Sequence, residues 1–87
     1  MINMDSEQIV FDIKNGKMEA FKKFFESFYP SLRLFANKYL SDSNSSNDIV
    51  QDAFVNIWDI KKDIHSINSA KSYVFKYAKN KCLNYLR

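Results

Sequence analysis

The sequence predicts an all-α fold, a compact four-helix bundle in which a short N-terminal helix precedes three longer ones. Two observations carry this. Apolar residues recur at spacings of three and four along nearly the whole chain, the period of helices that bury one stripe. The chain also has one Gly and one Pro, too few for a sandwich or barrel, which needs turn residues roughly every 8–12 positions. Its 87 residues fit a single domain, 1–87, with residues 1–5 expected to be flexible. An apolar share of 46%, including eight Phe, five Tyr and one Trp, marks a folded chain and not a disordered tail.

The first helix is expected over residues 6–15, with Asp5 or Ser6 as cap, Gly16 just past the end, and Ile9, Val10 and Ile13 as its stripe. In the second, Met18, Phe21, Phe25, Phe28, Leu32, Phe35 and Tyr39 alternate steps of three and four, and Phe24, Ala36 and Leu40 widen the face. Pro30 falls inside this pattern, where it removes one hydrogen bond, so the helix is expected to kink or be interrupted there. The polar run 41–47 reads as a loop, and Ser45 with Asp48 resembles a capping box that opens the third helix. That helix repeats Val50, Ala53, Ile57, Ile60 and Ile64, joined by Phe54 and Trp58. Residues 65–68 read as a second loop with Asn68 or Ser69 as cap. The fourth helix then runs from Ala70 to the chain end, with Ala70, Val74, Ala78, Cys82 and Tyr85 towards the core.

Composition excludes several functions. One Gly rules out a glycine-rich phosphate loop, and one Cys with one His rules out a disulfide framework or an ordinary zinc site. No apolar run approaches the roughly 20 residues of a membrane span, and residues 1–5 lack the signature of a signal peptide, so a cytoplasmic protein is expected. No nucleophile, base and oxyanion site assemble in the sequence. His65 reads as a surface histidine and Cys82 as packing. The expectation is a non-enzyme with no cofactor, no metal and no small-molecule substrate.

Charge is distributed in thirds. Residues 1–40 carry six bases and five acids, residues 41–64 two bases and five acids, and residues 65–87 five bases and no acid. On the third helix, at about 100° per residue, Asp48, Asp52 and Asp59 share one side opposite the core stripe, with Gln51 and Asn56 flanking and Val55 in the middle. This is either a solvated face, with Asp48 favouring the helix N-terminus, or an interface centre with a charged rim. On the fourth helix Ser72, Lys76, Lys79, Leu83 and Arg87 project away from the core, with Tyr73 and Asn80 at the edge. Lys and Arg neutralise phosphates, Asn bonds base edges, and Tyr stacks on unpaired bases. A basic helix complementing its own C-terminal dipole would look similar. Lys81 points partly coreward, which fits a snorkelling stem.

Three segments are similar to a known family: FFESFYPSLRLFA (24–36), DIVQDAF (48–54) followed by Trp58, and YVFKYAKN (73–80) with NYLR (84–87). Together they resemble region 2 of bacterial RNA polymerase sigma factors, most closely the extracytoplasmic-function type, from about Ser6 to Arg87. DIVQDAF is the most specific part. The resemblance implies that Asp48, Gln51 and Asp52, with Val55 and Asn56 beside them, dock on the β′ clamp helices of core RNA polymerase. It implies that the loop bearing His65, Ser66 and Asn68, together with Tyr73, Lys76, Lys79, Asn80, Asn84 and Arg87, recognises and melts the −10 promoter element. Melting would proceed by capture of single-stranded bases.

Two departures stand out. The family often has Trp where Tyr73 stands and Arg where Lys76 and Lys79 stand, so those lysines are expected to act as simple charges. The family also usually continues past Arg87 into a linker and a second helical domain, and an anti-sigma factor is the further partner it implies. Two other readings compete: a helical interaction module that never touches DNA, and a duplex-binding helix-turn-helix protein. The latter motif favours a tight, often Gly-containing turn that residues 41–47 and 65–68 lack.

Overall fold

The structure, a computed structural model, describes residues 6–86. The expected flexibility of residues 1–5, the candidate cap Asp5 and the candidate DNA contact Arg87 lie outside the described residues. Four α-helices follow one another: α1 (Ser6–Lys14), α2 (Met18–Asn37), α3 (Ser43–Asp59) and α4 (Ile67–Tyr85), with a 3-10 turn at Lys61–Asp63 between the last two. The described residues contain no strand. The architecture is the all-α four-helix bundle that the periodicity predicts.

The α1 stripe of Ile9, Val10 and Ile13 is buried, and the helix is closed by a Schellman turn. The Lys17 amide donates to the Asp12 carbonyl and the Gly16 amide to that of Ile13, both at 2.9 Å. Gly16 takes φ +79°, a conformation strained for any L side chain. Space is not the constraint, since an added Cβ would meet only the Lys61 side chain at 3.8 Å.

α2 lies against the other three helices, and this redistributes its buried face. Ala20, Phe24, Leu32 and Ala36 are buried, continuing to Leu40, while Phe21, Phe25, Phe28, Phe35 and Tyr39 are only partly covered. Met18 is 59% exposed. The deepest line therefore runs through Phe24, Ala36 and Leu40, which the periodicity placed at the edge, together with Leu32 of the central stripe and Ala20. α2 also passes through Pro30 as one element, with no interruption. The lost hydrogen bond is tolerated because Glu26, whose carbonyl loses its partner, is solvent-exposed, so water can serve it. Phe24 on one side and Leu32 on the other bury fully, contributing about 1.5–3 kcal/mol each, which rivals the roughly 3 kcal/mol cost of the proline.

α3 begins two residues before Ser45, so the polar run 41–47 is mostly helix. Its cap is Asp42: the carboxylate accepts from the Asn44 amide at 3.0 Å and from the Ser45 hydroxyl at 2.7 Å. These contacts, with the Ser45 hydroxyl first, hold the Asp42 carboxyl below its ordinary value. Ser45 thus supports the cap and does not itself form it. Ser46 is fully buried and donates to Asn37, and the Tyr29 hydroxyl donates to Asn47. Polar side chains of this stretch are tied to α2, which is why a loop-like composition folds as a first turn.

Val50, Ala53, Phe54 and Ile57 form the buried face of α3, with Phe54 set edge-on to Phe25 at 4.7 Å and Phe24 at 5.8 Å. The helix stops at Asp59, and the 3-10 turn carries the chain to buried Ile64, so the apolar repeat outlasts the α-helix itself. α4 starts at Ile67 under a reciprocal Ser66–Ser69 capping box, each hydroxyl accepting the other residue's amide at 3.0 Å. Asn68 accordingly lies in the first helical turn and not in a loop, and neither Asn68 nor Ser69 is the cap. Ala70, Val74, Ala78 and Cys82 are buried, and burial pushes the Cys82 thiol upwards. Tyr85 departs from the expectation: it is 57% exposed, its hydroxyl 3.1 Å from that of Ser45.

Candidate docking and nucleic-acid interfaces

Regular 100° steps put Asp48, Gln51, Asp52, Val55 and Asp59 on the outer side of α3, and all five are exposed. Among the described residues none of these three carboxylates is in an ion pair; the pair present, Lys17–Asp12 at 3.9 Å, lies elsewhere. Val55 is 61% exposed. Burial of the opposite face fixes the helix, so these side chains are presented on a rigid platform.

Beside Val55 runs an apolar groove between α2 and α3, lined by Met18, Phe21 and Phe25 on one side and Gln51, Phe54, Val55 and Trp58 on the other. Phe21 packs on Trp58 at 4.9 Å between centroids, and the Lys61 ammonium sits 4.4 Å over the indole. The Lys61 Nζ also donates to the Trp58 carbonyl at 3.3 Å. Sequence reasoning missed Met18, Phe21 and Trp58 as part of this surface. The available signal was Met18, an apolar residue opening a helix at a position where covering partners run out.

Asn56 is placed differently from its neighbours. It is half-buried at the opposite edge of α3, and its side-chain oxygen accepts the Tyr73 hydroxyl of α4. The residue expected on the docking face thus touches the residue expected on the nucleic-acid face.

On α4, Ser72, Lys76, Lys79, Asn80 and Asn84 are exposed and Tyr73 is half-buried. Tyr73 stacks on Tyr77 one turn later, centroids 6.4 Å apart and planes at 30°. Tyr77 is a second aromatic that the sequence reading left out. Lys81 is exposed, its ammonium 5.6 Å from the Tyr77 ring, so its stem follows the aromatic surface. Ahead of the helix, His65 and Ser66 are exposed, and the Ser66 hydroxyl is engaged as the cap. His65, Ser66 and Ile67 line a groove against Val10, Phe11 and Lys14 of α1. The structure therefore gathers Tyr73, Lys76, Lys79, Asn80 and Asn84 on one acid-free helix, with His65 and Ser66 just ahead of it.

Among the described residues no group of three or more His, Cys, Asp or Glu could hold a metal ion, and no helix is long and apolar enough to cross a membrane. These surfaces are those of a binding domain: an acidic, apolar-centred face on one helix and a basic, amide- and tyrosine-bearing face on the next. Residues 24–87 match the sigma-70 region 2 family, and the chain belongs to it. No curated protein and no solved structure is significantly similar to the chain. Membership brings the family's general function, RNA polymerase binding and promoter recognition in transcription initiation, in a family that is in general non-enzymatic.

Proposed function

We propose that this chain is region 2 of an extracytoplasmic-function sigma factor working in the cytoplasm. It docks core RNA polymerase through the β′ clamp helices on the outer face of α3, and opens the −10 element with α4 and the segment leading into it. The observation that carries this is the arrangement of α3. Three carboxylates with no ion pair among the described residues surround exposed Val55, and an apolar groove ending in Trp58 lies alongside. A basic partner helix with apolar side chains would match both features. Asp48, Gln51 and Asp52 supply the polar rim and Val55 the apolar centre.

α4 supports the second half. Lys76 and Lys79 neutralise phosphates, Asn80 and Asn84 offer amides to base edges, and the Tyr73–Tyr77 pair offers aromatic surface to an unpaired base. His65, Ser66 and Asn68, exposed just ahead of α4 and in its first turn, are the further residues we assign to the unpaired strand. None of this needs a cofactor or a covalent step. An anti-sigma factor, as a competitor for the same faces, is the regulatory partner that fits.

Titration of the protein with a β′ clamp-helix fragment tests the docking half. Asp52→Lys is expected to weaken the complex at least about tenfold, or roughly 1.4 kcal/mol. No detectable complex with the unsubstituted protein at micromolar concentrations would overturn it. Comparison of closed duplex with pre-melted promoter DNA tests the other half. Preference for the closed duplex would favour a helix-turn-helix mode instead.

A further inference from the structure

We propose that Asn56 is a positioning residue for nucleic-acid binding, acting through Tyr73, and not a contact to the polymerase. The inference rests on the reading of α4 given above. Asp48, Gln51, Asp52 and Val55 are all fully on the solvent side of α3, whereas Asn56 is turned to the α4 edge and partly covered. Its side-chain oxygen accepts the Tyr73 hydroxyl. Asn56 thereby spends its acceptor inside the protein, across the junction of two helices.

The consequence for Tyr73 is that its ring is held at two points. The hydroxyl is tied to α3, and one face of the ring leans on Tyr77. A tyrosine used as a stacking platform otherwise loses its side-chain rotational freedom when the base arrives, and that cost appears as weaker binding. Here the ordering is done on folding. The opposite face of the ring keeps a fixed orientation on the helix that also carries Lys76 and Asn80. Fixing the ring by a neutral hydrogen bond adds orientation without adding charge.

This separates two kinds of contribution that can be measured apart. Lys76 and Lys79 act through phosphates and set the salt dependence of binding. Asn56 and the Tyr73 hydroxyl are uncharged, so their removal changes affinity at every salt concentration by the same factor.

The test uses the protein titrated with a single-stranded promoter oligonucleotide, by anisotropy, at temperatures well below each variant's unfolding midpoint. Tyr73→Phe keeps the ring and removes the tether. Asn56→Leu keeps approximate shape and removes the acceptor. Each is expected to bind about three- to tenfold more weakly, with the logarithmic salt slope unchanged. The double variant is expected to lose no more than either single one, because both remove the same interaction. Clamp-helix binding by Tyr73→Phe is expected to equal that of the unsubstituted protein.

Tyr73→Phe binding the oligonucleotide as tightly as the unsubstituted protein overturns the positioning role and leaves the α4 reading standing. Additive losses in the double variant overturn it as well, since the two residues then act separately. Failure of the unsubstituted protein to bind any single strand overturns the reading of α4, and the positioning role with it.

Discussion

The hydroxyl of Ser46, fully buried within the first turns of α3, donates to the side chain of Asn37 in the last turn of α2, and lies 3.2 Å from the Ser43 carbonyl. A polar group is thus accommodated in the core by the end of the neighbouring helix. Ser46→Ala is expected to cost about 1 kcal/mol in urea denaturation, the net worth of one such bond. Ser46→Val is expected to cost more, because the site is also closely packed. A valine variant as stable as the unsubstituted protein would show that neither the bond nor the fit matters there.

Phe54 and Val55 are adjacent in sequence and opposite in environment, 2% and 61% exposed. Phe54→Ala is expected to destabilise by about 3–5 kcal/mol, since it removes the ring shared by Phe24 and Phe25. Val55→Ser is expected to remain within about 0.5 kcal/mol. The informative measurement for Val55 is binding: the same substitution should weaken the clamp-helix complex while the unfolding midpoint stays put.

Lys76→Ala combined with Lys79→Ala should reduce the slope of log affinity for single-stranded DNA against log salt by about 1.4, or roughly 0.7 for each lost phosphate contact. Titrations across a salt series read this directly. An unchanged slope would assign both lysines to solvated helix surface.

Asp42 gives the fold a defined acid sensitivity. Its carboxyl is held below the ordinary value, chiefly by the Ser45 hydroxyl and then by the Asn44 amide. A depressed folded-state value means the ionised cap stabilises fully above the unfolded value of about 3.9 and is lost as pH falls through the lower folded one. Asp42→Asn still caps, because Asn is a good N-cap, but cannot titrate. The stability of the unsubstituted protein relative to Asp42→Asn should be constant from neutral pH down to about 5 and fall at lower pH. An equal gap at pH 3 and pH 7 would contradict this.

Much of the bundle was legible because burial follows a period that can be counted. Ile9, Val10, Ile13, Val50, Ala53, Ile57, Ala70, Val74, Ala78 and Cys82 are buried where the repeat places them. The errors arise where tertiary contacts override local preference. Pro30 argues for a break until Phe24 and Leu32 are seen to bury on either side of it. The run 41–47 argues for a loop until Ser46 and Asn47 are seen to bond to α2. Tyr85 fits the stripe by spacing, yet it is exposed and bonded to Ser45. The same limit applies to the candidate faces. Exposure of Asp48, Gln51, Asp52 and Val55 follows from helical angle alone, whereas the groove formed with Met18 and Phe21 needs α2 and α3 brought together. The Asn56–Tyr73 pairing, 17 residues apart in sequence, leaves no local signature at all.

The position of α1 bears on how the region is delimited. The family match begins at residue 24, after α1 and the opening turns of α2. Yet Ile9, Val10 and Ile13 belong to the common core, and α1 also meets the 3-10 turn and α4. A fragment trimmed to the matched span would therefore open the core on one side and uncover the 3-10 turn and the start of α4. The family match and the packed core thus have different N-terminal borders, and only the longer span keeps α4 supported from the α1 side.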